Sequence, residues 1–289
     1  MPRSRSPWLL IAVLLAPALL GLVVFRLYPI ALAVGDSVFN VLRGQAIFVG
    51  LDNYIALLND SVFWNSLKVT LWFNLLINPI QIALALGLAL LYVQSFKGVT
   101  LYRVLFLIPI GVSLPTAVLI WRIMLSQDGL VNGMIGLAGV PAQPWLTSTS
   151  LALYSVIAIA TWKGISYWMI FIIGGLQNIS PEIYEAARID GAEPWQRLFL
   201  ITIPLLRPTL LFVLVADVSI NFLLFAPIFM LTQGGPAEST NVLMYEAYKS
   251  GFVFGDMGRA MAIIVVVVAI LLVIVGIQFK LLSGRREAR

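Results

Sequence analysis

Long apolar stretches recur along this chain, separated by short polar segments. Six of them are long enough for a membrane-spanning helix, which needs about 20 apolar residues. They run from Trp8 to about Val34, from about Leu67 to Tyr92, from Leu101 to Leu125, from Leu151 to Ile173, from Leu205 to Leu231 and from Ala260 to Leu282. The pattern predicts an all-α integral membrane protein with six transmembrane helices. The first stretch follows Arg3 and Arg5 and carries an Ala16-Pro17-Ala18 triplet, as a secretory signal does. Its apolar run, Trp8 to Phe25, is 18 residues, longer than the roughly 7–15 of a signal core. An uncleaved first helix is therefore expected.

Composition supports this reading: 61% of residues are hydrophobic and 11% charged. An ordinary soluble domain is about 45–50% apolar and about 25% charged, so a water-soluble globule could not cover its surface with so few polar side chains. The placement of Lys and Arg then sets the orientation. With six spans both termini share a side. That side holds Arg3, Arg5, Lys97, Arg103, Arg188, Arg197, Arg207, Lys280, Arg285, Arg286 and Arg289, whereas the opposite side holds Arg43, Lys249 and Arg259. Eleven against three puts the termini and the segment 174–204 in the cytoplasm. The lipid bilayer is the expected surrounding, and no nucleic-acid partner is expected.

Several chemistries are excluded. There is no cysteine and no histidine, so disulfides, thiolate chemistry and a Ser-His-Asp triad are out of reach. No lysine follows a glycine, which rules out the phosphate-binding loop of a Walker-type nucleotide site. Most acidic residues lie in loops rather than meeting in a cleft. Gly129, Gly133 and Gly136 are expected as turn residues of a polar loop. The sequon Asn178-Ile179-Ser180 falls on a cytoplasmic segment, where glycosylation does not occur.

The loop between spans four and five carries the densest local pattern. Ser180 is placed to cap a helix that Pro181 opens, with Glu182 and Glu185 in the first turns, where the helix dipole favours anions. Ile183, Ala186 and Ala187 share one face by spacing. Gly191 stops this helix. A second helix begins at Pro194, presents Trp195, Leu198 and Phe199, and is expected to end at Pro204. Such a helix-turn-helix is either a connector packed on its own bundle or an element that docks in a groove of a cytoplasmic partner.

Glu185-Ala186-Ala187, then Gly191, then Ile201-Thr202-Ile203-Pro204 resembles the EAA motif of ABC importer permeases, and Asp190-Gly191-Ala192 fits the same form. Phe48-Val49-Gly50-Leu51-Asp52-Asn53-Tyr54, with Asp60 and Phe63-Trp64, resembles the outer segment of the carbohydrate branch, which includes maltose- and glycerol-3-phosphate-type systems. Leu231-Thr232-Gln233-Gly234-Gly235-Pro236, with Thr240 and Tyr248, resembles the segment after their fifth span. One departure is that Phe225-Ala226-Pro227 stands where Phe-Asp is common. The resemblance implies the type I ABC importer permease fold, organised as a first helix and extracytoplasmic segment (1–66), a permease membrane domain (67–282) with a coupling-helix loop (178–204), and a basic cytoplasmic tail (283–289). It also implies that Glu182, Glu185, Ala186, Ala187, Asp190, Gly191, Ala192 and Pro204 couple the chain to an ATPase.

Polar residues inside spans cost roughly 2.5–3.5 kcal/mol or more each, and each one asks for a reason. In span two Asn74, Asn78 and Gln81 line up along one face. In span four Lys163 is followed one turn later by Tyr167, and in span five Asp217 by Asn221, with Trp162 and Trp168 near. Amides, a carboxylate, an ammonium and aromatic faces suit a sugar or polyol better than an apolar solute. The alternative is structural: Asp217 and Lys163 neutralise each other, or the amides bond helix to helix. Pro79, Pro109, Pro115 and Pro227 are expected to kink helices.

The function implied is that of a permease subunit in an ATP-driven sugar importer. Its implied partners are a second, homologous permease, two ATPase subunits and an extracytoplasmic sugar-binding protein. ATP and magnesium belong to the ATPase, and this chain is expected to bind no cofactor, hold no metal and be no enzyme. Rival readings are an ABC permease for glycerol phosphate, a peptide or an amino acid; a secondary transporter, for which no internal repeat is visible; and a membrane anchor that recruits a cytoplasmic enzyme.

Overall fold

Backbone N–H and C=O groups in hydrocarbon must be satisfied within the protein, and a helix does so inside a single segment. The computed structural model is accordingly built of helices. It describes residues 7–42, 45–94 and 97–283; Arg3, Arg5, Arg43, Arg285, Arg286 and Arg289, and the basic tail from 284 onward, lie outside the described residues.

In chain order, α1 (Pro7–Leu22) passes through a π-helical turn (Val23–Leu27) into α2 (Tyr28–Asp36). A hairpin follows in which β1 (Phe39–Leu42) pairs antiparallel with β2 (Gln45–Phe48), Phe39 opposite Phe48. Then come α3 (Asp52–Leu58), α4 (Ser61–Tyr92), α5 (Val99–Gly111), α6 (Leu114–Met124), α7 (Leu130–Leu137) and α8 (Ala152–Gln177). The loop helices α9 (Pro181–Ile189) and α10 (Pro194–Gln196) lead through a second π-helical segment (Arg197–Thr202) into α11 (Ile203–Phe222). After α12 (Ala226–Leu231) and α13 (Leu243–Tyr248), a third π turn (Lys249–Val253) precedes α14 (Met257–Ser283). Gly129 precedes α7, while Gly133 and Gly136 lie inside it, so two of the three expected turn glycines are helical.

Among the described residues, five apolar stretches are long enough to cross a membrane: Leu10–Asp36, Ser61–Tyr92, Ala152–Gln177, Pro194–Leu231 and Met257–Lys280. The sixth is α5 with α6, bent by 106°. The third expected span is thus broken rather than straight. Val112 and Ser113 are extended, and the Ser113 hydroxyl accepts from the Thr116 N–H at 3.3 Å as the cap of α6. Pro115 sits in the first turn of α6, where its missing N–H leaves no bond unmade.

The described chain divides into two compact units. One holds the described residues up to Ser61 with Glu246–Ala269; the other holds Val62–Tyr245 and the residues from Ile270 onward. In the first, the buried Asn53 amide donates to the Ser37 carbonyl at 2.8 Å, and the Ser37 and Tyr54 hydroxyls lie 2.7 Å apart. A Cβ at Gly258 would strike the Phe39 carbonyl and the Asn40 side chain, so only glycine lets α14 begin beside the hairpin. Arg259 bonds Asp60 at 2.5 Å and the buried Glu246 at 3.1 Å, and Glu246 also pairs with Lys249 at 3.2 Å.

In the second unit the core lies where α4, α8 and α11 meet. Ala85 and Ala89, Met169 and Ile172, and Leu206 and Val213 are all buried there. A Cβ at Gly175 would come within 2.6 Å of the Thr209 hydroxyl, which shows how closely α8 and α11 approach; small residues permit such contact between membrane helices. The Thr232–Pro236 turn is equally tight: Gly234 has φ +78°, and a Cβ there would meet the Tyr245 ring at 2.8 Å. The Thr240 hydroxyl lies 2.8 Å from both the Thr232 hydroxyl and the Gly235 carbonyl.

Candidate functional site

The intramembrane polar residues converge. Asn221 on α11 donates its amide to Asn78 Oδ1 at 2.7 Å, to Gln81 Oε1 at 3.1 Å and, one turn back, to Asp217 Oδ1 at 2.9 Å. The same Asp217 oxygen accepts from the Trp168 indole N–H at 2.6 Å. The Gln81 amide donates to the Ala160 carbonyl at 3.1 Å. Asn78 reaches Asn74 at 3.3 Å, and Asn74 reaches the Thr70 carbonyl at 2.9 Å. One network therefore links α4, α8 and α11 through side chains that are all nearly or fully buried. In a low-dielectric interior such bonds are stronger than in water, and an unpaired member is correspondingly costly.

Beside the network lies a cavity of about 260 Å³, whose wall includes Gln81, Lys163, Tyr167, Trp168, Asp217 and Asn221. Asn74 and Asn78 do not line it and belong to the network on α4. Trp162 lies away from it and packs edge-on against Trp121 at 5.7 Å. Gly164 is a lining residue that hydropathy does not reveal: a Cβ there would overlap the Gln81 amide. Its signal was the spacing Ala160, Gly164, Trp168, two small residues and then an indole on one helical face.

Lys163 does not face Asp217. Its ammonium donates to the carbonyls of Pro109 and Val112, and to that of Ile110 at 3.3 Å. These are the orphan carbonyls where α5 ends at the break. A cation there also meets the negative end of the helix dipole.

In the loop, α9 ends in a Schellman turn. Ala192 N–H donates to Ala187 O at 2.9 Å, and Gly191 N–H to Arg188 O at 3.1 Å. Gly191 has φ +77°, the left-handed region that glycine adopts freely. Ser180 occupies the cap position, but its hydroxyl bonds the Glu182 carboxylate at 2.8 Å instead of a backbone N–H. The expected shared face of Ile183, Ala186 and Ala187 is divided: Ala187 is buried, Ile183 and Ala186 are exposed. Glu182, Glu185, Asp190 and Gly191 are exposed too, and Ala192 is half-buried. Tyr184 ties α9 to the following helix, 3.1 Å from the Thr202 hydroxyl.

Pro204 does not end the second loop helix; α10, the π segment and α11 run on without a break from Pro194 to Phe222. A proline in a helix loses an N–H and crowds the carbonyl four residues back. The wider π segment just before Pro204 relieves that crowding, and the helix continues.

Residues 6–287 match the family described as binding-protein-dependent transport system inner membrane component. The chain is 34% identical over 288 residues to the sn-glycerol-3-phosphate transport system permease protein UgpA of Agrobacterium fabrum, covering 98% of this chain and 97% of that protein. It is 35% identical over 286 residues to the lactose transport system permease protein LacF of Rhizobium radiobacter, covering 96% and 94%. Its fold superposes with a TM-score of 0.81 on a chain of a bacterial ABC transporter involved in the import of the acidic polysaccharide alginate, at 24% identity over 97% of this chain and 96% of that one. A crystal structure of a bacterial alginate ABC transporter in complex with its pentasaccharide-bound periplasmic protein gives a TM-score of 0.78 at 24% identity, over 94% of each chain.

Proposed function

We propose that this chain, which belongs to the family of binding-protein-dependent transport system inner membrane components, is the membrane-spanning permease subunit of an ATP-driven carbohydrate importer. It is a multi-pass inner-membrane protein, a transport component and not an enzyme. The carbohydrate assignment draws on the relatives, one named for lactose and one for glycerol phosphate, and on the amide, carboxylate and indole groups around the cavity.

In this reading the chain pairs with a second, homologous permease, two ATPase subunits that bind ATP and magnesium, and an extracytoplasmic sugar-binding protein. A solved fold relative was crystallised with its periplasmic protein, which supports the last partner. Both termini and the 178–204 loop are read as cytoplasmic, which the concentration of Lys and Arg on that side supports. Glu182, Glu185, Ala186, Asp190, Gly191 and Ala192 then form the surface that meets the ATPase, Ala187 packs beneath it, and Pro204 lies on the helix leading inward. Asn74, Asn78, Gln81, Lys163, Tyr167, Asp217 and Asn221 belong to the wall of the substrate path or support it.

The observation that carries the reading is the construction of the loop. A short helix with exposed Glu182, Glu185 and Ile189 is closed by left-handed Gly191 and feeds an unbroken helix that reaches the cavity. An exposed Ile189 (86%) and Trp195 (57%) beside those acids suit a surface that docks. The chain has no cysteine, so Glu185→Cys gives a single thiol for cross-linking. The expected result is a cross-link to the ATPase subunit in membranes of the assembled transporter. Labelling of that thiol by an impermeant reagent from the outer face, or no ATPase cross-link, refutes the reading.

A further inference from the structure

Helix α7 has the opposite polarity to a helix that faces water. Its eight residues, Leu130 to Leu137, include a single polar side chain, Asn132, and that side chain is turned inward, the residue being 5% exposed. Leu130, Met134 and Leu137 recur at i, i+4 and i+7 and so form one stripe, with Asn132 on the other side of the helix. The three are 60%, 62% and 91% exposed. No Asp, Glu, Lys or Arg stands between Asp128 and Lys163, so neither α7 nor the chain that follows it brings a charge to this stripe.

Both ends of α7 are tied to helices of the membrane bundle. A Cβ at Gly129 would lie 2.4 Å from the Met124 carbonyl oxygen and 2.6 Å from that of Ile123. The helix therefore starts against the last turn of α6, where Ile123 is itself exposed. The Asn132 amide donates to the carbonyls of Ser126, Gln127 and Gln143 at 3.2, 3.0 and 3.1 Å. Its Oδ1 accepts from the Gln143 N–H at 2.9 Å and from the Trp145 indole at 2.8 Å. The Trp145 carbonyl accepts in turn from the Ser155 hydroxyl at 2.9 Å, and Ser155 lies in the first turn of α8. That helix has 26 residues, about 39 Å at 1.5 Å per residue, against about 30 Å of hydrocarbon. Its first turn thus lies in the interfacial layer, where the exposed Tyr154 ring beside Ser155 also belongs. Two hydrogen bonds separate α7 from that level.

We infer that α7 is an in-plane interfacial helix, its Leu130–Met134–Leu137 stripe seated on the acyl chains of the leaflet at which α8 begins. A surface helix of this kind ordinarily needs a charged face toward water. Here the protein takes the place of water: Asn132 satisfies the polar side from within, and the apolar side carries on from the exposed end of α6 into lipid. A soluble partner such as a binding protein is steered and oriented by charge, and α7 carries none. The inference goes beyond the importer reading and rests on the membrane location of α8, whatever the solute. In the orientation proposed above, the leaflet is the outer one.

The test uses the complete transporter, assembled with cysteine-free partner subunits in phosphatidylcholine vesicles. This chain has no cysteine, so Leu137→Cys carries a single environment-sensitive fluorophore, and its exposed side chain can be replaced with little loss of packing. The quenchers are iodide on both sides of the membrane and phosphatidylcholine bearing a nitroxide high on its acyl chain. The expected result is blue-shifted emission, a large loss of fluorescence with the nitroxide lipid, a small loss with iodide, and no change when the binding protein is added. Met134→Cys should behave alike, and it decides if Leu137→Cys does not assemble. Quenching by iodide but not by the lipid shows a face in water and overturns the inference. Protection from both quenchers assigns the face to the second permease, and iodide quenching that the binding protein abolishes assigns it to that protein; either overturns the inference. None of these results bears on the importer reading, which the Glu185→Cys cross-link tests separately.

Discussion

Gly191 gives the sharpest test of the loop, because its requirement for glycine is conformational and not steric. Its φ is +77°, and no atom lies within 4 Å of a Cβ built there. Alanine therefore fits the space but not the backbone. The left-handed conformation costs an L-residue roughly 1–2 kcal/mol, a factor of about 5–30 in the population of the closed turn. Asparagine tolerates this region better and should cost less. Proline cannot adopt a positive φ, and it removes the N–H that donates to the Arg188 carbonyl at 3.1 Å; in a helical setting that is about 3 kcal/mol or more. If the 181–204 loop transmits motion between ATPase and bundle, it must be rigid, and the series should grade coupling. The assay is the ratio of solute uptake to ATP hydrolysis in proteoliposomes, with thermal melting in detergent as the control for folding. The expected order is Gly, Asn, Ala, Pro, with melting little changed because the turn is exposed. A fully coupled Gly191→Ala, or Asn performing worse than Ala, would show that left-handed geometry is not the constraint. Normal uptake by Gly191→Pro would remove the loop from the coupling pathway.

Two further substitutions probe the membrane interior. Gly164→Ala drives a methyl into the buried Gln81 amide, and should destabilise by about 1–3 kcal/mol from overpacking and roughly 1–3 kcal/mol more if Gln81 abandons its bonds to Ala160 and Asn221; melting of the purified transporter measures this, and combining it with Gln81→Asn should recover part of the loss, whereas strict additivity would deny the contact. Lys163→Met keeps the stem but strips the donors from the carbonyls at the α5–α6 break, so faster amide hydrogen exchange across 109–116 is expected, and unchanged exchange would show that the lysine does not brace the break.

Much of this was visible in the sequence because hydrocarbon penalises polarity so heavily. Asn74, Asn78 and Gln81 stand on one helical face by spacing alone, and Asp217 and Asn221 lie one turn apart on another. Their convergence in space follows from the need of each for a partner. The break in the third span was hidden for the opposite reason. Residues 101–125 are almost uniformly apolar, and a hydropathy sum does not register chain direction; the markers were Pro109, Ser113 and Pro115, which fit a straight kinked helix equally well. The partner of Lys163 was misdirected in the same way. Charge alone points to Asp217, but the true acceptors are carbonyls that become available only once the helix breaks. Pro204 shows a third limit, since a terminator in an isolated helix becomes a passing feature when a π segment precedes it.

The loop and the cavity share their supports, and this bears on how one could act on the other. The chain enters the loop from the C-terminus of α8 and leaves it into α11, and these two helices supply Gly164 and Trp168, and Asp217 and Asn221, to the cavity. From Trp195 to Asp217 the helix is continuous, a distance of roughly 33 Å at 1.5 Å per residue. Side-chain contacts give way by rotamer changes, whereas a hydrogen-bonded helix is stiff along its axis. If the loop is displaced, the expected result is a shift of the backbone at Asp217, and Gly175 against Thr209 holds α8 and α11 in close contact. Asn221 bonds across to Asn78 and Gln81 on α4, so the same shift must either carry α4 along or break those bonds. Packed interfaces of this kind switch between discrete arrangements instead of deforming smoothly. The polar network thus joins α4, α8 and α11 through Asn78, Gln81, Trp168, Asp217 and Asn221, and the helix that carries two of those residues is the one that leaves the 178–204 loop.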